Sequence, residues 1–247
     1  SQQISVTLQT DMKQTHKVRA DVTNNKLITA EKTFSTKDLH AGLALTKDSI
    51  RSFVNAGDLT FLFKSQQNLD KLTASLNKIS KELDSQWKKK YIDQPFIKTL
   101  LPTTRIKIIS GKDNPIANLL SSNHIYYNRL LIDLNTSAQT GLNGSVNLYG
   151  LHTDSLSLDS IYFTAQQDTA EINFHSGIKA LANPHQEAFD VSLNGYVGAN
   201  DAQMMIEYLN GQKERGAYIG FNANLRNKGI SLHIIPEEPT LVYRPFK

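Results

Sequence analysis

Apolar and polar residues alternate along most of the chain, a pattern typical of β-strands with one face turned away from water. Ile4, Val6 and Leu8 open the pattern, and "DLTFLFKS" is a denser apolar run that predicts a strand covered on both faces. After residue 125 the alternation recurs in runs such as "LLIDLNT", "SIYFTA" and "FDVSLNGYV", separated by Gly, Asn and Asp. The pattern therefore predicts a mainly β, antiparallel protein.

A long helix interrupts the strands at about 66–88. Its apolar residues recur at spacings of three and four, which places them on one helical face. Ser65 is the expected N-cap, and the lysines at 88–90 lie at the C-terminal end, where the helix dipole favours cations. The residues of this apolar stripe are Leu69, Leu72, Leu76, Ile79, Leu83 and Trp87. The stripe is expected to pack on the apolar face of the sheet.

Two shorter helices are predicted at about 114–122 and 200–210. In the first, Asn114 is the expected cap and Pro115 occupies the first helical position. The second begins at Asn200 and ends at Gly211. Its apolar residues are Met204, Met205 and Leu209.

The phase of the alternation changes once within a single run. Leu156 and Leu158 fall on even positions, whereas Ile161 and Phe163 fall on odd ones. Because side chains in a strand alternate strictly between two faces, this change predicts a bulge or a turn at Asp159-Ser160.

Composition removes several kinds of chemistry. The chain has 247 residues, no cysteine and a formal net charge of +4, with basic and acidic residues interspersed. Thiol catalysis and disulfides are excluded, and no clustered basic face indicates nucleic acid. The seven histidines show no metal-ligand spacing, and no catalytic or phosphate-binding motif is found. We therefore expect a protein that is not an enzyme and that binds no metal or cofactor.

Two surface features allow more than one interpretation. The lysine run at 88–90, with Trp87 and Tyr91, could contact anionic lipid headgroups, or it could be a solvated helix end with Trp87 packed on the sheet.

Asp followed by Ser or Thr recurs and resembles the O-glycosylation acceptor motif of envelope proteins in some anaerobic Gram-negative gut bacteria. The same dipeptide is also ordinary turn chemistry. The glycosylation candidates are Ser49, Ser155, Ser160 and Thr169.

Several blocks of the chain, in order, resemble the TamB family (translocation and assembly module), within the AsmA-like superfamily. The blocks are "GDLTFLF", "GKDNPIANLL", "LYGLHTDSLSLDSIYFTAQQDTAEINFHSG", "DAQMMIEYLNGQKERGAYIGFNANL" and "PEEPTLVYRPF". The similarity covers nearly the whole chain and is strongest from about 112 to 246. It is closest to long envelope proteins of anaerobic Gram-negative bacteria, of which this chain would be an internal segment.

The resemblance implies a curved antiparallel sheet, an open half-pipe with an apolar concave side. It also implies a periplasmic segment of an inner-membrane-anchored protein that bridges the inner and outer membranes. Phospholipid acyl chains would be its ligands, and outer-membrane assembly proteins would contact parts of the family outside this segment. The residues 1–247 would form one elongated segment, with a possible division into 1–111 (strands plus the long helix) and 112–247 (the groove).

Such a groove needs a sustained apolar face and no reactive residue. The alternation fits an open trough and a closed sandwich core equally well, and the residues alone favour the closed core because most apolar faces are buried. In that alternative the protein would be a scaffold that binds other envelope proteins by strand-edge pairing, without lipid. The candidate lipid-binding residues are Leu148, Leu156, Leu158, Ile161, Phe163, Ile172, Phe174, Val191, Leu193, Ile219, Phe221, Leu225, Ile230, Leu232 and Ile234.

Overall fold

The structure, a computed structural model, describes residues 3–10, 15–24, 26–28, 33–35, 37–226 and 229–245. The strands are β1 Gln3–Thr10, β2 His16–Thr23, β3 Lys26–Ile28, β4 Thr33–Ser35, β5 Leu39–Leu45, β6 Ile50–Ala56, β7 Leu59–Ser65, β8 Thr104–Ser110, β9 Arg129–Ser137, β10 Gly141–His152, β11 Ser157–Gln167, β12 Ile172–Ala180, β13 Phe189–Val197, β14 Asp201–Asn210, β15 Arg215–Arg226, β16 Gly229–Leu241 and β17 Arg244–Pro245. The helices are α1 Leu69–Lys88, α2 Gln94–Leu100 and α3 Pro115–Ser121.

One 15-stranded antiparallel sheet forms the body of the protein. Its order follows the chain from β1 to β17, except that β3 and β4 form a small separate hairpin between β2 and β5. The terminal strands β1 and β17 are not paired with each other, so the sheet is open. Strand β8, on the N-terminal side of the possible division at 111–112, pairs with β9 on its C-terminal side. The predicted curved, open, antiparallel sheet is confirmed.

Helix α1 crosses one end of this curved sheet. At its start the Asn68 side-chain amide donates to the carbonyl of Lys47 in the β5–β6 turn (3.0 Å). Beyond its end the Ile92 N–H donates to the carbonyl of Ala199 in the β13–β14 turn (2.6 Å). These turns are about 38 Å apart along the sheet, at about 4.8 Å per strand, whereas a helix of 20 residues is about 30 Å long. The helix and the four residues after it therefore connect two turns that are eight strand spacings apart at this end of the sheet.

The two faces of the sheet differ sharply in polarity. Residues directly opposite in neighbouring strands point to the same face, so the register assigns every side chain. The face that carries Phe163, here called the apolar face, is apolar from β1 to β16, and the opposite face is polar. One row of the apolar face, from β1 to β15, consists of Val6, Ala20, Ala41, Val54, Phe61, Ile108, Ile132, Val146, Phe163, Ser176, Leu193, Ile206 and Ile219.

No second layer closes over the apolar face in the described part of the chain. The accessible surface is 15645 Å², whereas a compact protein of this mass exposes about 11,000 Å². The closed core that the residues alone favoured is therefore wrong. Alternation records only that one face is apolar, and it carries no information on whether another layer covers that face.

Asn68, not Ser65, caps α1, because the Asn68 side-chain oxygen accepts from the Lys71 N–H at 2.9 Å. Ser65 instead ends β7. The predicted helix at about 114–122 is confirmed as α3, with Asn114 as its cap and Pro115 in its first turn. Helix α2, capped by Asp93, was not predicted, because a segment of seven residues is too short to show a helical period.

The helix predicted at about 200–210 is wrong, because these residues form strand β14. Read at period two, Ala202, Met204, Ile206 and Tyr208 lie on the apolar face, and Met204 lies opposite Phe221. The adjacent methionines suggested a helical stripe, but neighbours on both sides supply the ladder that keeps the segment extended. Gly211 punctuates a strand end as readily as a helix end.

The bulge or turn predicted at Asp159-Ser160 is also wrong. Strand β11 keeps a single register against β10 on both sides of Asp159, and it pairs with β12 from Ser160 onward. The turn comes earlier, where the Thr153 N–H donates to the Leu156 carbonyl at 2.8 Å. Leu158 simply points to the opposite face from Phe163. The local irregularity lies in the partner strand, at Gly150 with φ +61.

Three buried glutamines attach the α1–α2 hairpin to the sheet. The Gln167 amide donates to the Gln94 carbonyl and side-chain oxygen at 3.4 and 3.3 Å. The Gln167 oxygen accepts from the Leu142 N–H at 3.0 Å. Within the hairpin, the Gln86 oxygen accepts from the Asp93 N–H at 2.7 Å. The chain between β7 and β8 is therefore fixed to strands further along the sheet.

A fully buried asparagine organises the other end of the sheet. Asn114 is 0% exposed, and its amide donates to Asp58, Ser110 and the Gly111 carbonyl at 2.7, 3.0 and 2.9 Å. Its oxygen accepts from two N–H groups of the first turn of α3, both at 3.0 Å. One side chain thus joins the β6–β7 turn, the end of β8 and the start of α3.

Replacing Asn114 with Ala should lower the free energy of unfolding by about 2–4 kcal/mol, because it removes a helix cap and leaves buried groups unpaired. Denaturant titration of the whole chain measures this change. Asn77→Ala, on the exposed surface of α1, is the matched control and should change it by less than about 0.5 kcal/mol. An Asn114→Ala cost equal to that of the control would contradict the network.

Asp58 should make stability depend on pH. Burial raises the pKa of its carboxyl, but hydrogen bonds from the Asn114 side chain and from the backbone N–H groups of Asp113, Gly111 and Lys112 lower it more, so the pKa lies below its ordinary value. A carboxyl with a depressed pKa in the folded state stabilises the fold above its unfolded pKa, and this contribution is lost as the pH falls through the folded pKa. The loss of stability between about pH 5 and about pH 2 should therefore be smaller in Asp58→Asn than in the natural chain. Equal losses in unfolding titrations at both pH values would refute the assignment.

Candidate functional site

The structure places almost all of the candidate lipid-binding residues together. Leu148 lies opposite Ile161, Phe174 belongs to the same face, and Phe221 lies opposite Ile234. Every residue predicted for the groove except Leu156 and Leu158 points to the apolar face of β10–β16. The members on that face are Leu148, Ile161, Phe163, Ile172, Phe174, Val191, Leu193, Ile219, Phe221, Leu225, Ile230, Leu232 and Ile234.

Two of the predicted residues do not belong to this face. Leu156 lies in the turn before β11 and is exposed. Leu158 is 4% exposed and points to the polar side of the sheet with Tyr162. The predicted alternation with a period of two is correct. Leu156 and Leu158 were assigned to the wrong face because the turn before β11 was treated as part of a continuous strand.

The apolar face is accessible over much of its length. Phe163, at the centre of the sheet, is 40% exposed, and Leu232 near the β16 edge is 67% exposed. Large contiguous apolar surfaces are rare on soluble monomers.

The apolar face extends beyond the predicted residues into β1–β9. Leu59, Phe61 and Phe63 of β7 all belong to it, although their dense run suggested a strand covered on both sides. The alternation at Ile4, Val6 and Leu8 was the available signal that the first strand shares this face, and these residues are exposed.

Helix α2 contacts one end of this face. Gln167, the last residue of β11, shares the face of Phe163 and holds α2 through Gln94. Helix α1 leaves most of its own apolar stripe exposed, since only Leu72 in the stripe is buried. The expectation that this stripe packs on the sheet is therefore wrong.

The ring of Trp87, near the C-terminal end of α1, lies at the surface. Trp87 is 52% exposed and is not packed on the sheet. The Lys90 ammonium lies 5.3 Å from the centre of the Trp87 ring. The interpretation of Trp87 as a residue buried against strands is thus excluded.

The polar face carries paired charges and no metal cluster among the described residues. Arg105 binds Asp133 through two contacts of 3.1 and 2.5 Å, and this guanidinium lowers the pKa of the Asp133 carboxyl. His40 bonds to Asp21 at 2.6 Å, which lowers the pKa of that carboxyl, with Arg19 as the second cause. These pairs are structural contacts on a solvated surface. No helix within the described ranges is long and apolar enough to cross a membrane.

The glycosylation candidates occupy two kinds of position. Ser155 and Thr169 are exposed in turns, whereas Ser49 and Ser160 are half-buried. The Asp168 carboxylate accepts from the N–H groups of Ala170 and Glu171 at 2.7 and 2.9 Å. The Asp in this Asp-Thr pair therefore has a turn-forming role of its own.

The cost of truncating Phe163 should distinguish an uncovered face from a covered one. Phe163→Ala should lower the free energy of unfolding by about 1 kcal/mol, since the ring already contacts solvent. Leu158→Ala should cost about 2–4 kcal/mol, because its side chain is buried. Denaturant unfolding gives both values, with Thr164→Ala on the polar face as the control. A cost of about 3–5 kcal/mol for Phe163→Ala would show that another layer covers the face.

Comparison of the chain with protein-family models, with curated proteins and with solved structures finds no match. The residues of the candidate site are therefore assigned from register, burial and exposure. The resemblance to the TamB family stays a hypothesis.

Proposed function

We propose that this chain is a non-enzymatic, periplasmic segment of a TamB-like bridge between the inner and outer membranes, in which the apolar face shields phospholipid acyl chains. The observation that carries the proposal is an apolar face that continues through an open sheet and that no other described part of the chain covers. Outer-membrane assembly is the process that such transport would serve.

The size of the face suits a lipid tail. A row across five strands is about 20 Å long at about 4.8 Å per strand, which is comparable to an extended acyl chain. Transferring a chain of about 14 methylenes out of water contributes on the order of 10 kcal/mol, at about 0.8 kcal/mol each. Contact with Phe163, Phe174 and Leu193 needs no specific hydrogen bond, which agrees with the plain aliphatic and aromatic composition of the face.

The edges of the sheet support a second candidate function. Strand β1 is paired on one side only, and its Ile4, Val6 and Leu8 are exposed. An edge of this kind can accept a strand from another protein. The chain would then be a scaffold for other envelope proteins. Its sheet is open, whereas the scaffold hypothesis drawn from the sequence assumed a closed core.

Photocrosslinking separates the two candidates. A benzophenone side chain in place of Phe163 or Phe174 should capture phospholipid in cells, and mass spectrometry of the adduct identifies it. Thr164, which follows Phe163, and Asn173, which precedes Phe174, point to the opposite face; they are the matched control positions and should capture none. Lipid absent from the Phe positions, or equally abundant at the controls, would overturn the proposal. Protein adducts from Ser5 in β1, without lipid adducts, would support the scaffold.

A charge on the apolar face gives a second readout. Phe163→Asp together with Phe174→Asp should remove most of the lipid that copurifies without detergent, because a carboxylate opposes burial of a methylene chain. Thr164→Asp is the control for added charge and should leave the lipid content unchanged. Circular dichroism of each variant verifies that the sheet is retained.

A further inference from the structure

The polar face contains one row of directly opposed residues that lacks a carboxylate. It runs from Gln9 in β1 to His233 in β16, close to the strand ends at which α1 lies. Neither Asp nor Glu occurs at any described position of this row, here called the acid-free row. The first half of the row is cationic and the second half is rich in amides.

The cations of the first half are Lys17, Arg51, Lys64 and Arg105, with Gln9 and Ala44 as its other members. Arg51, Lys64 and Arg105 lie directly opposite one another on three adjacent strands. Like charges in this arrangement destabilise a sheet unless an anion compensates them. Arg105 is held by Asp133 at 2.5 Å, whereas Lys17, Arg51 and Lys64 form no ion pair with the described residues. These three exposed cations are available to an external anion.

The amide half offers donors and acceptors without charge. Each amide group supplies two N–H donors and one carbonyl acceptor, the combination that hydroxyl groups require. The side chains of Asn135, Gln166 and Asn173 make no hydrogen bond within the described part of the chain. Their N–H donors and carbonyl acceptors are therefore available to a ligand. The amides of this half are Asn135, Asn143, Gln166, Asn173, Gln203 and Asn222.

Aromatic rings lie along the same half. Tyr196 occupies the row between Asn173 and Gln203, and its hydroxyl donates to Asp201 at 2.8 Å. His175 lies in the next row, and the centre of its ring is 4.9 Å from that of Tyr162 in the row beyond. Rings of this kind combine an apolar body with a polar tip, which suits a sugar ring with C–H faces and hydroxyl edges.

Three shallow hollows lie one after another along the acid-free row. Lys17 and Arg51 line the first, of about 400 Å³; Lys64 and Arg105 line the second, of about 500 Å³. The third, of about 700 Å³, is lined by the amides of the row other than Asn222 and by Asp133, the ion-pair partner of Arg105. Asn135 borders both the second and the third. Together they extend for about 50 Å at about 4.8 Å per strand. An elongated ligand is the form that fits them.

We propose that the polar face binds an extended anionic glycan along the acid-free row. Its acidic groups would lie over Lys17, Arg51 and Lys64, and its hydroxyl groups would bond to the amide half. A nucleic acid offers at most one free hydroxyl group per unit and would give the amide half few partners, whereas each unit of an acidic glycan carries several hydroxyl groups beside its acidic group. The site lies on the face opposite the lipid-shielding surface and does not depend on that function.

Binding of polygalacturonate to the whole chain tests the proposal, with neutral dextran and poly-L-glutamate as comparison polymers. Calorimetry at about 0.05 M salt keeps electrostatic contacts measurable. The double variant Arg51→Gln, Lys64→Gln and the double variant Asn173→Ala, Gln203→Ala should each weaken polygalacturonate binding by about tenfold, because each removes two direct contacts. Lys78→Gln with Lys81→Gln on α1 makes the same charge change away from the row and should have no effect.

Several results would overturn the proposal. Dextran or poly-L-glutamate bound as tightly as polygalacturonate would show that a charged sugar is not the preferred ligand. If the α1 control variant lost as much affinity for polygalacturonate as the Arg51→Gln, Lys64→Gln variant, net charge alone would explain the effect. An amide-pair variant with natural affinity would remove the glycan assignment. Polygalacturonate should also raise the melting temperature of the natural chain, a measurement that needs no variant.

Discussion

The hydrogen-bonded register of the antiparallel sheet is the constraint on which the rest of the structure depends. Nearly every strand of the main sheet pairs with the next one in the chain, and irregularities are confined to short places such as the one between Tyr208 and Leu209. Since the side-chain period is two, a slip of one residue in any strand would transfer its apolar residues to the other face. Faithful register from one strand to the next therefore creates both a continuous apolar face and a continuous polar one.

Much of this architecture could be read from the sequence, because period-two alternation is a local property. The strands, the long helix and the Asn114-Pro115 start of α3 carry signals within a few residues. Whether the apolar face is covered is a property of distant elements, and the sequence does not contain it in readable form. The same holds for the acid-free row, whose members are separated by tens of residues and meet only through the register.

The errors have a common physical origin. Met204 and Met205 indicated a helix because two adjacent apolar residues fit a helical stripe, yet hydrogen bonds from β13 and β15 fix the segment as a strand. Leu156 and Leu158 were assigned to the groove face because the turn before β11 was not recognised. Local propensity was in each case overridden by pairing with neighbouring strands, whose contribution exceeds the preference of any single residue.

The connection of α1 to the turns near Lys47 and Ala199 has a mechanical consequence. Strands of this sheet contact their immediate neighbours, so the sheet resembles a one-dimensional array in which force applied at the ends is resisted one interface at a time. Tension would then peel strands from either edge inward. A helix that joins the β5–β6 turn to the β13–β14 turn bypasses the interfaces between them, and it would share the load across that central block. In a protein under tension between two anchoring points, this block would be the last part to unravel.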